Sequence, residues 1–252
     1  MKNPEMKTAV IIQARKGSQR LPNKIVKPFF QEKGILEILI REVKKLELPL
    51  IVATTTHEID DEVEQLCQKE KVSCFRGSEE NVLNRFVKAA RTEDYDVVYR
   101  VCADNPFLSV SYMKELGSAW EDSLDYVCHR DGFGHPAMKT HFGFFAEMVR
   151  ISALEKVLSV TKDPLYLEHV TNFVYEHPDM FSLHWLHMPD FLRHRNDIRM
   201  TVDTEEDFRT MQELYQLKIE QNWESMDELV VWLDNHPEFL AGMKKNIKAN
   251  TK

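Results

Sequence analysis

Apolar residues along the first hundred positions follow two alternating patterns. Short uninterrupted apolar runs are typical of strands buried on both faces of a parallel sheet, and apolar residues at three- and four-residue spacing predict amphipathic helices. Repeated strand–helix alternation predicts an α/β fold whose mainly parallel sheet is joined by right-handed crossovers. The predicted strands cover residues 10–12, 50–53, 72–75 and 96–102, and the predicted helices cover 36–46, 60–69 and 79–91.

The pattern is less regular after residue 104. We predict a turn at 130–132, followed by a loop or small antiparallel excursion over 135–143, and one or two helices in the tail at 227–246. Further predicted strands lie at 124–128 and 200–202, and further predicted helices at 112–120, 153–158, 167–175 and 205–217.

The segment that follows the first apolar run is rich in cations. Arg15, Lys16, Arg20 and Lys24 surround the pair Gly17 and Ser18. In α/β proteins a loop beyond the carboxyl end of a strand is where phosphates bind, and glycine lets the backbone approach them closely. The loop has neither the G-x-x-x-x-G-K-[ST] nor the G-x-G-x-x-G pattern. On residue types alone, a solvated basic loop and a phosphate site are equally good interpretations.

Two acidic residues each follow a predicted strand. Asp104 comes directly after the fourth strand, in CADNPF, and Asp203 follows residues 200–202, in MTVDTEED. Carboxylate oxygens in this position suit a Mg²⁺ ion that bridges nucleotide phosphates. Asp203 alone could equally be a helix N-cap with acids in the first turn. A cationic loop opposite two such acids favours a metal pair.

Composition bounds the class of protein. The chain has 252 residues, 43% of them hydrophobic and 29% charged, which is typical of a globular protein that folds as one domain. Its formal net charge of -8 argues against a nucleic-acid-binding surface but not against a nucleotide substrate. Neither a signal peptide nor a membrane-spanning apolar run is predicted. The cysteines, Cys67, Cys74, Cys102 and Cys128, lack zinc-type spacing, so we expect a cytoplasmic protein with reduced thiols.

The order of residues in the cationic loop decides between a solvated loop and a phosphate site. Residues 14–24 read A-R-x-G-S-x-R-L-P-x-K, which resembles the nucleotide-binding loop of the cytidylyltransferases that make CMP-activated sugars. These include the acylneuraminate and KDO types, and the wording is closest to the spore-coat polysaccharide type. Similar wording recurs at 53–56, 75–85 and 168–171, so the resemblance covers about residues 8–210. It implies a three-layer α/β/α nucleotidyltransferase fold, Rossmann-like and GT-A-like, with a small excursion.

The resemblance also implies roles for particular residues. Asp104 and Asp203 match the family's two metal-binding aspartates, so Mg²⁺ is the expected cofactor, and Arg15 and Lys24 join them as expected catalytic residues. Expected contacts to the acceptor are Glu147, Glu168 and His169. The expected nucleotide-binding residues are Ala14, Arg15, Gly17, Ser18, Arg20, Lys24, Ala53, Thr54, Gly77, Ser78, Arg85 and Arg100.

The function that the resemblance implies is transfer of CMP from CTP to a sugar acid or related acceptor, with release of pyrophosphate, for surface polysaccharide or glycoconjugate synthesis. Leu167, Asn172 and the lead-in at 135–142 depart from the family's usual wording, which leaves the acceptor open. Alternatives are another NTP, a non-sugar acceptor such as a phosphonate or polyol phosphate, or a catalytically silent nucleotide-binding module. The family also implies a homodimer, with contacts at 135–147.

Overall fold

A computed structural model describes residues 6–249 and contains, within that range, one seven-stranded sheet. The predicted absence of a leader peptide concerns residues 1–7, of which 1–5 lie outside the described range. The strands are β1 (Thr8–Gln13), β2 (Leu50–Thr55), β3 (Ser73–Gly77), β4 (Val97–Cys102), β5 (Tyr126–Arg130), β6 (Glu147–Arg150) and β7 (Leu183–His187).

The sheet order is β3-β2-β1-β4-β6-β5-β7. The first four strands pair in parallel, β5 and β7 are also parallel, and β6 is antiparallel to both β4 and β5. The four strands predicted in the first hundred residues are confirmed. β1 lies between β2 and β4, so the chain leaves β1 at a point where strand order reverses. Ligands of open α/β sheets bind in the crevice at such a switch point.

Helices cover the sheet and confirm the predicted α/β class. One cluster of buried apolar side chains reaches from Ala9 in β1 to Met243 near the C-terminus. Among the described residues, no helix has both the length and the apolar character to cross a membrane. The helices are α1 (Ile35–Val43), α2 (Asp61–Glu70), α3 (Val82–Arg91), α4 (Val110–Ala119), α5 (Ile151–Val160), α6 (Pro164–Glu168), α7 (Asn172–Glu176), α8 (Asp190–Arg193), α9 (Glu205–Glu220), α10 (Met226–Asp234) and α11 (Pro237–Ala249).

The structure corrects the sequence-based prediction at three places. The predicted helix over 167–175 is divided into α6 and α7, and His169 to Thr171 lie between the two. The predicted strand at 200–202 is wrong, because the amide of Met200 donates to the carbonyl of His141 and that of Val202 to Asp104, on two different segments. The sequence pattern does not predict β6 or β7. β6 has four residues and runs directly into α5, and β7 has two histidines among its five residues.

Candidate active site

Two adjoining cavities open beyond the carboxyl ends of β1 and β4. The loop cavity, about 610 Å³, lies against the cationic loop of residues 14–24, and the inner cavity, about 540 Å³, lies against residues 137–143 and helices α6 and α7. The residues that line both are Arg20, Cys102, Asp104, His169 and Asp203. Because Asp104 and Asp203 line both cavities, they lie at the junction, where groups bound in the two cavities would meet.

The cationic loop is held in a fixed conformation by backbone contacts. The amide of Ala14 continues the β1–β2 ladder by donating to Ala53 O at 3.1 Å, and the amide of Lys16 donates to the carboxylate of Asp60 at 2.7 Å. Asp60 is buried and also accepts a hydrogen bond from Thr55. Asn23 adopts a left-handed φ of 61°, which turns the chain so that Lys24 points inward. The loop is therefore positioned before any ligand binds.

Lys24 lies between the two aspartates. Its side chain is buried, and its Nζ donates to Asp104 and to Asp203 at 3.3 Å each and to the carbonyl of Val202 at 2.5 Å. Burial alone would lower the pKa of Lys24, but the nearby carboxylates of Asp104 and Asp203 raise it overall. The ammonium therefore stays charged at neutral pH and holds together two carboxylates that would otherwise repel each other.

The other loop arginines face different partners. Arg20 pairs with Asp203 Oδ1 at 2.9 Å and lines both cavities. Arg15 lines the loop cavity and pairs with Glu79 at 3.2 Å, and His57 contacts the other carboxylate oxygen of Glu79 at 2.6 Å. A polyanion that enters the loop cavity would meet Arg15, Arg20 and Lys24 together.

Arg100 lines the inner cavity and not the loop cavity. It was predicted to bind the nucleotide, together with residues of the cationic loop. It donates to Glu147 Oε1 at 2.6 Å and to Gln13 at 3.2 Å. Glu147 has no exposed side chain surface, and it also accepts hydrogen bonds from Tyr126 and Thr171. Glu147 is thus buried against these side chains and lines neither cavity, and its contact with an acceptor stays a prediction.

Several polar groups of the inner cavity lack partners among the described residues. Asn105 Oδ1 and Thr201 Oγ1 are both buried without a hydrogen bond, and both residues line the cavity. Lys139 and His169 add a cation and an imidazole to the wall. Burial lowers the pKa of His169, so its ring is neutral at pH 7. The cavity can therefore accept a polar molecule that satisfies these groups.

A separate group of predicted residues lies near the ends of β2 and β3. Arg85 is almost fully buried, donates to Ser78 O at 2.5 Å, and has two further nitrogens without a partner among the described residues. Burial, together with the charge of Arg15, lowers the pKa of Arg85 to about 10. A buried guanidinium with unused donors is costly unless a ligand or water satisfies it.

The structure brings together most, but not all, of the residues predicted for the site. The loop cavity gathers Arg15, Ser18, Arg20, Lys24, Asp104, Glu168, His169 and Asp203. The predicted residues that line neither cavity are Ala14, Gly17, Ala53, Thr54, Gly77, Ser78, Arg85 and Glu147. Glu168, predicted to contact the acceptor, lines the loop cavity alone.

Sequence reasoning missed four residues that shape the site: Asp60, Asn105, Lys139 and Arg199. Asp60 was detectable, since it follows β2 closely, as Asp104 follows β4. Arg199 lies four positions before Asp203 and bonds its Oδ2 at 2.8 Å. Asn105 and Lys139 carry no spacing signal, because only folding brings residues 137–143 beside β4.

The carboxylates of Asp104 and Asp203 suit a hard cation that takes its other ligands from a substrate. Within residues 6–249, no group of three or more His, Cys, Asp and Glu side chains is arranged to hold a metal ion. Mg²⁺ is commonly bound by one or two carboxylates together with substrate phosphates and water. Asp104 and Asp203, both within 3.3 Å of one ammonium, supply that number of oxygen ligands.

Comparisons with known proteins identify the family of this chain. The profile of a family described as cytidylyltransferase matches residues 9–226. The chain is 32% identical over 236 residues to the spore coat polysaccharide biosynthesis protein SpsF of Bacillus subtilis, covering 90% of this chain and 94% of that protein. It is 34% identical over 254 residues to the uncharacterized protein MJ1063 of Methanocaldococcus jannaschii, covering 98% and 96%.

Solved structures give the same result for the fold. A cytidylyltransferase from Leptospira borgpetersenii serovar Hardjo-bovis superposes with a TM-score of 0.81 at 28% identity, covering 94% of this chain and 97% of that one. A CMP:2-keto-3-deoxy-manno-octonic acid synthetase in complex with CTP superposes with a TM-score of 0.59 at 14% identity, covering 84% and 99%. The second likeness extends to the fold alone.

Proposed function

Since the chain belongs to the cytidylyltransferase family, we propose that it transfers CMP from CTP to a sugar acid or a related acceptor and releases pyrophosphate. The observation that carries the proposal is the arrangement of Lys24, Asp104 and Asp203 at the junction of the loop cavity and the inner cavity. An acceptor hydroxyl in the inner cavity would attack the α-phosphorus of a nucleotide in the loop cavity. The bond from that phosphorus to the pyrophosphate oxygen would break.

The loop side of the site would bind the triphosphate. Arg15, Arg20 and Lys24 neutralise phosphate charge, and Ser18 adds a hydrogen-bond donor. Charge moves onto the departing pyrophosphate in the transition state, and preformed cations stabilise it there without reorganisation. Gly17 lies in the same loop, where an added Cβ would meet Ile59 and Glu79 at the ordinary contact distances of 3.6 and 3.7 Å.

Asp104 and Asp203 would hold Mg²⁺, which in nucleotidyl transfer neutralises phosphate charge and lowers the pKa of a bound hydroxyl. This chain's own contribution is to hold the two carboxylates close together, through Lys24 and Arg20. Lys24, which lines the loop cavity beside both carboxylates, would donate to a phosphate oxygen of the bound nucleotide.

The inner cavity supports an acidic, hydroxyl-bearing acceptor. Arg100 and Lys139 offer positive charge to a carboxylate, and Asn105 and Thr201 offer unused polar atoms to hydroxyls. His169, at the junction, has a neutral ring at pH 7 and is suited to accept or donate a hydrogen bond near the reacting hydroxyl. Glu147 would act behind Arg100, by fixing the guanidinium toward the cavity.

The nucleobase would bind near the ends of β2 and β3. Arg85 has buried nitrogens that lack a partner among the described residues and could donate to the carbonyl oxygen of a pyrimidine. Ala53, Thr54, Gly77 and Ser78 surround the same region of the sheet. Glu79, which pairs with Arg15 and His57, would have to give up these contacts as a nucleotide enters. Preference for CTP over other NTPs would be decided here.

The test is pyrophosphate release with each of the four NTPs and Mg²⁺, across a panel of 2-keto sugar acids, phosphonates and polyol phosphates. We expect release with CTP and a sugar acid. Release only with a different NTP, or only with a phosphonate or polyol phosphate, would replace CTP or the sugar acid in the proposal. CTP binding without release from any acceptor would favour a catalytically silent nucleotide-binding module.

Matched variants separate the metal assignment from folding. Asp104→Asn and Asp203→Asn should each lower kcat by at least about 10³-fold, because the carboxylates act on the reacting phosphate. Asp61→Asn is the control, since the side chain of Asp61, on α2, is 51% exposed and pairs with Arg76 outside both cavities. Full activity of a double Asp104→Asn, Asp203→Asn variant would rule out the metal role.

The proposed setting is surface polysaccharide or glycoconjugate synthesis in the cytoplasm, supported by the resemblance to a relative named for spore coat polysaccharide biosynthesis. A homodimer with contacts at residues 135–147 is proposed on the family resemblance alone. Light scattering after size-exclusion chromatography would measure a mass near 59 kDa for a dimer, twice the 29.6 kDa of one chain.

A further inference from the structure

Asp203 is held from behind by a buried arginine. Arg199 is about 1% exposed, and its Nη2 donates to Asp203 Oδ2 at 2.8 Å. The other oxygen, Oδ1, faces Lys24 at 3.3 Å and Arg20 at 2.9 Å, on the cavity side. One oxygen of the carboxylate is therefore fixed to the protein interior while the other is presented to the site.

The same guanidinium is fixed by a second carboxylate. Arg199 donates to Asp207 through Nε at 2.8 Å and through Nη2 at 3.0 Å, and Asp207 Oδ2 also accepts from the amides of Asp203 and Thr204 at 3.0 Å. Although burial would raise it, the pKa of Asp207 is lowered by the hydrogen bonds from Arg199. Side chain and backbone of Asp203 are thus both tied to the start of α9.

Arg199 also reaches the wall of the inner cavity. Its Nη1 lies 2.5 Å from His141 Nδ1, and because a guanidinium only donates, His141 must accept at that nitrogen. His141 belongs to the segment 137–143, whose neighbours Lys139 and Thr140 line the inner cavity. The amide of Met200 donates to the carbonyl of His141 at 2.8 Å, which fastens the two segments a second time.

The C-terminal helix closes this assembly from the far side. Asn246 of α11 donates to Asp207 Oδ1 at 3.3 Å, and the backbone amide of Arg199 contacts the sulfur of Met243 at 3.4 Å. Both side chains are buried. α11 lies beyond the residues 9–226 that the family profile matches, yet it contacts Arg199 and Asp207, which both form hydrogen bonds with Asp203.

We propose that Arg199 is a positioning residue that sets the orientation of Asp203 and couples it to the acceptor wall through His141, and that α11 stabilises this arrangement through Asn246 and Met243. The inference rests on the proposed role of Asp203 in holding a divalent cation. Residues that orient metal ligands from behind typically contribute about 10- to 100-fold in metal affinity or activity. A planar guanidinium can span two carboxylates and an imidazole at fixed angles, whereas an ammonium cannot.

The experiment measures Mn²⁺ affinity by electron paramagnetic resonance, with the full-length chain and CTP but no acceptor, alongside kcat and KM. Arg199→Lys should weaken Mn²⁺ binding about 10-fold or more and lower kcat, while the KM for CTP changes by less than about threefold. Arg195→Lys is the matched control, because Arg195 lies in the same segment and also pairs with two aspartates, Asp197 and Asp234, away from the cavities. It should leave Mn²⁺ affinity unchanged.

A second variant keeps the proposal testable if Arg199→Lys does not fold. Asn246→Leu removes the donor from α11 and should weaken Mn²⁺ binding in the same direction with the melting temperature little changed. Asp203→Asn, which should abolish tight binding, distinguishes the possible failures. Weak binding by Asp203→Asn with unaltered binding by Arg199→Lys and Asn246→Leu would overturn the positioning role alone. Unaltered binding by Asp203→Asn would overturn both the metal assignment and this inference.

Discussion

At the scale of single residues, the site depends on a few buried charges that neutralise one another. Lys24 is buried, and this would be unfavourable if Asp104 and Asp203 were not adjacent. The two carboxylates in turn need cations nearby to offset their mutual repulsion at close range. Removing one of these three charged side chains leaves the charge of the others uncompensated. Substitutions at these positions should therefore lower catalysis more than substitutions at exposed neighbouring positions.

Lys24→Met should therefore lower kcat by about 10²–10³-fold, since it removes a positioned cation from the developing charge. Lys27→Met is the control: Lys27 lies three residues on in the same segment but pairs with Glu205 on the surface. Steady-state rates of pyrophosphate release measure both. A fall of less than about fivefold for Lys24→Met would mean that the lysine has only a structural role.

At the scale of elements, the segment 199–203 is positioned by close backbone contact rather than by a sheet ladder. Gly143 has a φ of 66°, and a Cβ there would lie 2.7 Å from the carbonyl oxygen of Met200. Only glycine lets residues 137–143 approach Met200 this closely. The segment that ends in Asp203 thus depends on a glycine sixty residues earlier in the chain.

Gly143→Ala should destabilise the fold by about 1–3 kcal/mol, through strain at a left-handed φ and displacement of Met200. Gly134→Ala is the matched control, because Gly134 also has a left-handed φ, of 90°, but no atom of residues 6–249 lies within 4 Å of the place that a Cβ would occupy. Urea unfolding compares the two, and activity should fall for Gly143→Ala alone. Equal destabilisation would indicate that φ, and not the approach of Met200, decides the cost.

The strand β5 contains a buried histidine that should make stability depend on pH. His129 lies in contact with the rings of Tyr112 and Phe145, and its Nε2 is 3.0 Å from Glu115. Burial lowers its pKa below the ordinary value of 6.5, although Glu115 opposes the shift. The unfolded chain therefore binds this proton more readily than the folded one, so stability is complete above about pH 6.5 and decreases as the pH falls below it.

His129→Phe should flatten this dependence between pH 7 and pH 5, where the slope from one proton is at most about 1.4 kcal/mol per pH unit. The matched variant His184→Phe replaces an exposed histidine on β7 and should leave the slope unchanged. Chemical unfolding at several pH values measures it. An unchanged slope in His129→Phe would place the titrating group elsewhere.

At the scale of the whole molecule, the site joins segments from the full length of the chain. The loop after β1, Asp104 after β4, the wall at 137–143 and Asp203 before α9 meet only because the sheet order places β1 beside β4. Ligands that bridge these segments should therefore stabilise the fold as a unit. The single-domain organisation expected from the sequence stays a prediction, which cooperative unfolding monitored by two probes would test.

CTP with Mg²⁺, at 100 times its Kd, should add about 2.7 kcal/mol to the free energy of unfolding. For a chain of this length, that corresponds to a rise of roughly 5–10 °C in melting temperature. Chelation of the metal with EDTA should remove most of the increase, because the triphosphate would then face Asp104 and Asp203 without a neutralising cation. Differential scanning fluorimetry makes the comparison. A shift that persists in EDTA would argue that the nucleotide binds without the metal.

The sequence by itself determined the class of fold, the cationic loop and the two aspartates, because these follow from local patterns: buried strand runs, helical periodicity and residues at strand ends. Only the tertiary structure decided that 200–202 is not a strand, that 167–175 breaks at His169, and that Glu147 is buried against Arg100. It also decided that Arg199 contacts both Asp203 and His141, and that Lys139 lines the inner cavity with Asp104. The contacts of Glu147, Lys139 and His141 join segments far apart in the chain, and residue spacing carries no information about such contacts until the sheet order brings the segments together.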